Sequence, residues 1–163
     1  MTLQALMSLA MNTFLTALFA LLIAFPAAAH EFEVGKLKII HPVAQATSPN
    51  AEPTETIGYF RVRNDSDKAD RLMSVSAPEI SDVIQIMFAQ PDEPGISSNA
   101  MTELDIPANQ ETVLTPNANH IMFAKLKGPL PLESSFPAVL RFEHAGEVTV
   151  IFNVEGASDP HSH

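Results

Sequence analysis

Residues 119–123 read Asn-His-Ile-Met-Phe, and the alternation in this stretch decides how the chain around it folds. Successive side chains of a β-strand point to opposite faces, so His120 and Met122 share one face while Ile121 and Phe123 share the other. The apolar pair is suited to anchor a strand in a core. The other face then presents an imidazole and a thioether side by side, an arrangement suited to a metal ion. Solvation of the histidine and packing of the methionine are the competing interpretation.

Residues 84–88, which read Ile-Gln-Ile-Met-Phe, show the same alternation upstream. They place Ile84 and Ile86 on one face and Gln85 and Met87 on the other. If the isoleucines face a core, Met87 faces solvent and forgoes the ~1.5–3 kcal/mol that burial of such a side chain contributes. An outward methionine therefore needs a reason, and metal ligation is one. Ordinary packing remains the alternative, because methionine commonly fills gaps in cores.

Composition limits the classes of function. A length of 163 residues predicts one domain with a sizeable core, and a net charge of −10 argues against a nucleic-acid partner. The absence of cysteine removes disulfides, thiolate ligands and the attachment point of a lipid-anchored lipoprotein. Outside the cytoplasm thiols tend to oxidise, whereas thioethers stay neutral and prefer soft metals such as Cu(I). Methionine is thus the expected soft ligand in an exported protein.

The beginning of the chain predicts export. Residues 1–29 carry no charged side chain and end in Pro-Ala-Ala-Ala, as in a secretory signal peptide with a small-residue cleavage site. The apolar run is nearly long enough to span a bilayer, so an uncleaved anchor is the alternative, and membrane association is expected only in that case. The predicted organisation is a signal peptide at 1–29, a β-domain at 30–155 and a disordered tail at 156–163.

Short β-rich runs between turn residues predict the fold class. Thirteen prolines and no amphipathic helix beyond the leader favour an all-β antiparallel sandwich. His41-Pro42 is expected to end the first strand, and Met101 to end a loop. The predicted strands are 34–40, 56–63, 71–77, a strand around 84–88, 111–114, a strand from 120, and a hairpin formed by 138–143 and 147–154.

Five short motifs give the chain a family resemblance. They are Ile-His-Pro-Val-Ala at 40–44, Asp-Arg-Leu at 70–72, Ile-Pro-Ala at 106–108, His-Ile-Met at 120–122 and Phe-Glu-His-Ala-Gly at 142–146. With these segments the chain resembles the PCu(A)C family of periplasmic copper chaperones over residues 34–154. The resemblance implies a periplasmic protein with a cupredoxin-like, Greek-key β-sandwich. Without a cysteine, a blue-copper centre is excluded.

The family's metal motif maps onto this sequence with one departure. The motif separates a His or Met from a His-x-Met by 32 intervening residues, and counting back from His120 reaches Met87. The intermediate methionine of the motif falls on Ser98, and the methionine nearby is Met101. The resemblance thus implies a Cu(I) site made of Met87, Met101, His120 and Met122. A set without Met101 is the weaker alternative.

The resemblance also implies how the protein works. It predicts a non-enzymatic, monomeric carrier that holds Cu(I) in an exposed, undercoordinated site and releases it by ligand exchange. The expected acceptor is the Cu(A) centre of cytochrome c oxidase, on its subunit II, or another copper chaperone. Exposure of the site would let the acceptor's ligands attack before the donor's ligands leave.

The remaining histidines are candidates for other roles. His30 would become the first residue after cleavage, where its amine and imidazole could chelate Cu(II). His161 and His163 in the tail could form a second, labile Cu(II) site. His41 is expected to pack and His144 to be solvated.

Two alternative functions belong to other classes. A histidine-brace copper oxygenase would use His30, but such enzymes usually bind polysaccharide on a flat aromatic face, and this chain has one tyrosine and no tryptophan. A secreted interaction module would use its methionines for packing only. The sequence shows none of the patterns that would indicate another kind of enzyme. It has no pair of carboxylates at a catalytic spacing, no nucleophile with an accompanying base, and no glycine-rich phosphate loop.

Overall fold

The computed structural model describes residues 31–48, 54–89 and 98–156. The predicted leader at 1–29, His30, and the tail histidines His161 and His163 lie outside the described residues. Within the described ranges, no helix is long and apolar enough to cross a membrane.

The described chain is all-β, as the sequence predicts. Its eleven strands are β1 (Glu31–Val34), β2 (Leu37–Gln45), β3 (Glu55–Asn64), β4 (Asp70–Ser76), β5 (Val83–Ala89), β6 (Ser98–Met101), β7 (Leu104–Ile106), β8 (Glu111–Val113), β9 (His120–Ala124), β10 (Ser135–Phe142) and β11 (Gly146–Glu155).

One sheet forms the domain, in the order β6-β5-β9-β3-β2-β11-β10-β4-β7, with β1 paired to β2 and β8 to β3. The sheet curls around a single apolar core in the manner of a barrel. The predicted antiparallel pairing holds for the described strand pairs except β2 with β11, which run parallel with Asn153 beside Val43. In this order β9 lies between β3 and β5, so neighbouring strands pair with both edges of the strand that carries His120.

Phenylalanine rings fix β9 against the core. The Phe123 ring lies edge-on to the rings of Phe136 and Phe152, with centroid distances of 5.5 and 5.6 Å. Gly58 on β3 leaves the space for this contact, because a Cβ at that position would lie 2.6 Å from Cε2 of Phe123. Edge-on ring pairs add about 0.5–1.5 kcal/mol to their apolar burial. The strand that carries His120 is therefore held firmly from its core side.

The predicted first strand is wrong at both ends. A turn at Gly35, where φ is +60°, separates β1 from β2, and β2 continues through His41 and Pro42 to Gln45. The pairing of β2 with β3 shifts register between Ile40 and Val43. This bulge removes Pro42 from the ladder, so its missing N–H breaks no strand hydrogen bond. His41 takes the left-handed φ of 54° that the bulge requires.

Besides β1, the sequence pattern missed two short strands, β6 and β7. Met101, predicted at the end of a loop, lies in β6, which pairs with β5. Ile106 ends β7, which pairs with β4, and its side chain is fully buried. Strands of three or four residues have little periodicity of their own and form because a neighbouring strand offers unpaired backbone groups.

Candidate metal centre

The pairing of β5 with β9 brings three of the predicted ligands together. Met87 lies directly opposite His120, and Gln85 lies opposite Met122. Opposite residues of an antiparallel pair share a face, with Cβ atoms about 4.5–5.5 Å apart, and diagonal neighbours are about 7–8 Å apart. Met87, His120 and Met122 therefore lie on one face of one two-stranded ladder, within reach of flexible methionine side chains.

The opposite face of the same two strands belongs to the core. Ile86 lies opposite Ile121, and both side chains are buried in the apolar cluster together with Phe123. The alternation predicted for residues 84–88 and 119–123 is thus confirmed. Met87, His120 and Met122 lie on the outer face of the ladder, which we call the ligand face.

Burial of the ligand face differs from the expectation of an exposed site. Met87 is 8% exposed and His120 is 2% exposed, while Met122 is half-buried. The prediction that Met87 faces solvent is wrong, although its side chain stands outside the contiguous core cluster. Strand alternation determines on which face a side chain lies, but other parts of the structure decide whether that face is covered.

One nitrogen of the His120 imidazole makes a hydrogen bond and the other has no hydrogen-bond partner. Its Nδ1 lies 2.8 Å from the carbonyl oxygen of Ala118, and since a carbonyl can only accept, Nδ1 carries the proton. In the neutral ring Nε2 then presents a lone pair, the form in which histidine binds metals. Among the described residues, Nε2 of His120 is the one buried side-chain nitrogen or oxygen without a hydrogen-bond partner.

An unpartnered buried polar atom costs about 1–3 kcal/mol, so the position of Nε2 calls for an explanation. A metal ion coordinated by this atom would supply the missing partner. The two thioethers on the same face are neutral, soft ligands that need no deprotonation. The donor set therefore fits a soft metal ion.

The turn before β9 orients the histidine ring. Thr115 N donates to Asn119 O at 2.9 Å, and Ala118 N donates to Thr115 O at 3.1 Å. These bonds hold the Ala118 carbonyl next to the first residue of β9. A backbone carbonyl that accepts from the distal nitrogen of a metal-binding histidine fixes both its tautomer and its orientation.

Met101 is not brought to the other three residues. It pairs with Ile86 across β5 and β6, so it lies on the core side of the sheet and packs, half-buried, against the apolar cluster. Ser98, the position that the motif spacing reaches, also lies in β6, where it pairs with Ala89 of β5. Ligation by Met101 stays a prediction, and it would need β6 to rearrange.

Two neighbours of the ligands follow from the register. Met122 has Gln85 opposite it on β5 and Ile57 opposite it on β3. The sequence places Gln85 on the same face as Met87, but it does not place Ile57 beside the site. Pairing with β3 is a non-local property, so the sequence of residues 55–64 does not indicate that Ile57 lies beside Met122.

The other described histidines stand apart from this face. His41 is 56% exposed at its side chain, so the expected packing role is wrong, and its Nε2 lies 3.5 Å from Oε1 of Glu155. His144 is exposed, as predicted, with Nε2 3.7 Å from Oε2 of Glu143. Within residues 31–48, 54–89 and 98–156, no three His, Asp or Glu side chains gather closely enough to hold a metal ion.

Comparison with known proteins agrees with this architecture. The fold is that of a PCu(A)C-type β-domain, which the solved relatives described below share. The chain belongs to the LpqE-like family, described as LpqE-like lipoproteins, whose sequence model matches residues 37–154. The sequence itself contains no cysteine. No curated protein matches the chain.

Solved structures with this fold include copper-bound domains. The copper-bound PCuAC domain from PmoF2 is 28% identical, covers 78% of this chain and 98% of its own, and has a TM-score of 0.67. The apo form of that domain is also 28% identical, covers 82% and 100%, and has a TM-score of 0.66. The Cu(I)-bound DR1885 of Deinococcus radiodurans is 20% identical, covers 83% and 87%, has a TM-score of 0.61 and supports the fold alone.

Proposed function

We propose that the protein is a copper chaperone that holds Cu(I) on the outer face of β5 and β9 and has no enzymatic activity. The observation that carries this proposal is the buried, unpartnered Nε2 of His120, which lies on the strand face shared with Met87 and Met122. The copper-bound relative of the same fold supports it.

The ligand types favour Cu(I) over Cu(II). Two thioethers and one neutral imidazole form a soft, uncharged set, whereas Cu(II) prefers several nitrogen and oxygen ligands in a tetragonal arrangement. A set of Met87, His120 and Met122 would leave the ion three-coordinate. Such an ion remains open to attack by a fourth ligand, which is what transfer to another protein requires.

The burial of the three ligands suggests an order of release. Met122 is the most exposed of them, while Met87 and His120 are buried. We infer that an acceptor's ligand enters beside Met122 and displaces it first, and that His120 leaves last because its ring is held by the Ala118 carbonyl. In place of the exposed site that the family resemblance implies, we infer a site that an acceptor reaches only beside Met122.

The acceptor and the location follow from the resemblance and remain proposals. We propose export to the periplasm through the leader at 1–29, a monomeric carrier, and delivery to the Cu(A) centre on subunit II of cytochrome c oxidase or to another copper chaperone. Binding of Cu(II) by His30, His161 and His163 is a separate proposal on residues outside the described ranges.

An anaerobic titration tests the main proposal. Residues 30–163, which contain all described strands, are titrated with Cu(I) against a competing chelator, beside the variants His120→Ala, Met122→Leu and Met101→Leu. We expect one tight equivalent that is lost in the first variant, weakened in the second and retained in the third. Replacement of methionine by leucine nearly conserves volume, so the domain should remain folded.

The outcomes separate the competing functions. A lower affinity for Cu(I) in the Met101→Leu variant would show that Met101 is one of the ligands. If the wild-type chain does not compete for Cu(I), the chaperone proposal fails and the domain is an interaction module. An oxygenase site would instead lose copper when the amine of His30 is blocked.

A further inference from the structure

The sheet leaves an opening between β4 and the pair β5 and β6. The strands at the two ends of the sheet order, β6 and β7, are not paired with each other. A cavity of about 210 Å³ lies in this opening, which we call the seam. Its described lining residues are Met73, Ser74, Val75, Ile84, Gln85, Ile86, Ala100, Met101 and Thr102.

Met73 reaches the seam because β4 contains a bulge. Ser74 pairs with Arg141 and Leu72 pairs with Phe142, which leaves Met73 as the extra residue between two successive ladder pairs. A bulge turns the side chain of its extra residue away from the regular alternation. Met73 is half-buried and is not among the side chains that form or pack on the apolar core cluster.

Met101 also lines this cavity. It lies in β6, across from Ile86, and is half-buried. Residues 30–163 contain four methionines, and the structure sorts them into two pairs: Met87 with Met122 on the ligand face, and Met73 with Met101 in the seam. The two residues of each pair come from different strands.

The remaining polar groups of the seam are neutral. Ser74, Gln85 and Thr102 supply hydroxyl and amide oxygens, and among the described residues around the cavity none is charged. Ca²⁺ and Mg²⁺ take sites rich in carboxylates and other oxygens, whereas thioethers select soft ions such as Cu(I). The seam therefore has the ligand chemistry of a soft monovalent ion.

We propose that the seam is a second soft-metal site, in which Met73 and Met101 bind Cu(I) or Ag(I) more weakly than the ligand face does. It is weaker because it lacks an imidazole. Gln85 lines the seam and also lies opposite Met122 in the ladder, so the two sites adjoin through one residue. The binding claim stands independently of the proposed delivery function.

Methionine methyl groups report on the two sites separately. Residues 30–163 labelled with ¹³C at the methionine methyl groups give four signals, which four single Met→Leu variants assign. Ag(I) alone is the probe, because it is a soft monovalent ion that does not change oxidation state during the titration. We expect Met87 and Met122 to shift with the first equivalent, and Met73 and Met101 to shift together in a second, saturable step.

Variants distinguish this site from the first. Met73→Leu should abolish the shift of Met101 in the second step, and Met101→Leu should abolish that of Met73, while the first step is unchanged in both. His120→Ala should abolish the first step and leave the second. Thermal unfolding of each variant without metal confirms that it is folded.

Three results would overturn the proposal. The Met101 signal could move with the first equivalent in step with Met87, which would place it in the first site. The Met73 and Met101 signals could stay unmoved, or move without saturation. If the wild-type chain showed the second step without the first, the result would count against the proposed function but would still support the seam site.

Discussion

Substitution of Gly58 by alanine should destabilise the domain through β9. The new Cβ would lie 2.6 Å from Cε2 of Phe123 and 3.0 Å from Cε1 of Phe152, whereas carbon atoms prefer about 3.5–4.0 Å. Both rings are fully buried and pack against other aromatic rings, so they have little room to move. Overpacking of this kind costs about 1–3 kcal/mol.

Alanine also restricts the unfolded chain, which offsets about 0.4–1 kcal/mol of that cost. A net loss of about 1–2 kcal/mol should lower the Tm by about 4–8 °C in a domain of this size. Because Phe123 directly follows Met122, displacement of its ring should also weaken Cu(I) binding at the proposed site. Thermal unfolding of the metal-free domain and the chelator competition measure the two effects.

Gly128 provides the matched control for this substitution. A Cβ at Gly128 would meet no atom within 4 Å, so Gly128→Ala should leave the Tm unchanged or slightly higher. A Gly58→Ala variant as stable as wild type would refute the claim that β3 and β9 are packed too closely for a side chain. Equal losses in both variants would show that the cost arises from the backbone rather than from ring contacts.

Three further predictions concern other parts of the domain. The buried Asp70 carboxylate accepts hydrogen bonds from the backbone N–H groups of Arg71, His144 and Ala145 at 2.7–3.0 Å. Asp70→Ala should therefore lower the free energy of unfolding by about 3 kcal/mol, as measured by urea denaturation. An unchanged urea midpoint would refute this. The side-chain hydrogen bond from Arg63 holds the pKa of Asp65 below its usual range. The pair therefore stabilises the fold fully at pH values above the pKa of Asp65 in the unfolded chain, and this contribution is lost as the pH falls through the lower pKa of Asp65 in the folded protein. Arg63→Ala should therefore flatten the dependence of Tm on pH below about pH 4, and an unaltered profile would contradict it. Met122→Leu should speed copper release to an acceptor chelator in stopped-flow absorbance more than Met101→Leu does, because Met101 lies on the other face of the sheet; equal rates would argue for Met101 as a ligand.

The local alternation of the sequence determined the faces of the site strands. A strand has a fixed side-chain period of two, so the residues in 84–88 and 119–123 identify the core face and the ligand face without any knowledge of neighbours. The terminal hairpin was equally predictable, since 147–154 falls within β11 and 138–143 overlaps β10 except for its last residue. The motif spacing that suggested Met87 and His120 is likewise a property of the chain alone.

Only the tertiary structure decided which of these residues meet. The register of β5 against β9 sets Met87 opposite His120, and the register of β6 against β5 turns Met101 toward the core. A shift of one residue would reverse either assignment, and register depends on hydrogen bonds and packing between distant segments. Burial of Met87 has the same non-local origin, because it depends on how the sheet curls and on what covers its outer face. The hydrogen bond from the His120 ring to the Ala118 carbonyl is local in sequence, but it forms only with the turn before β9 in place.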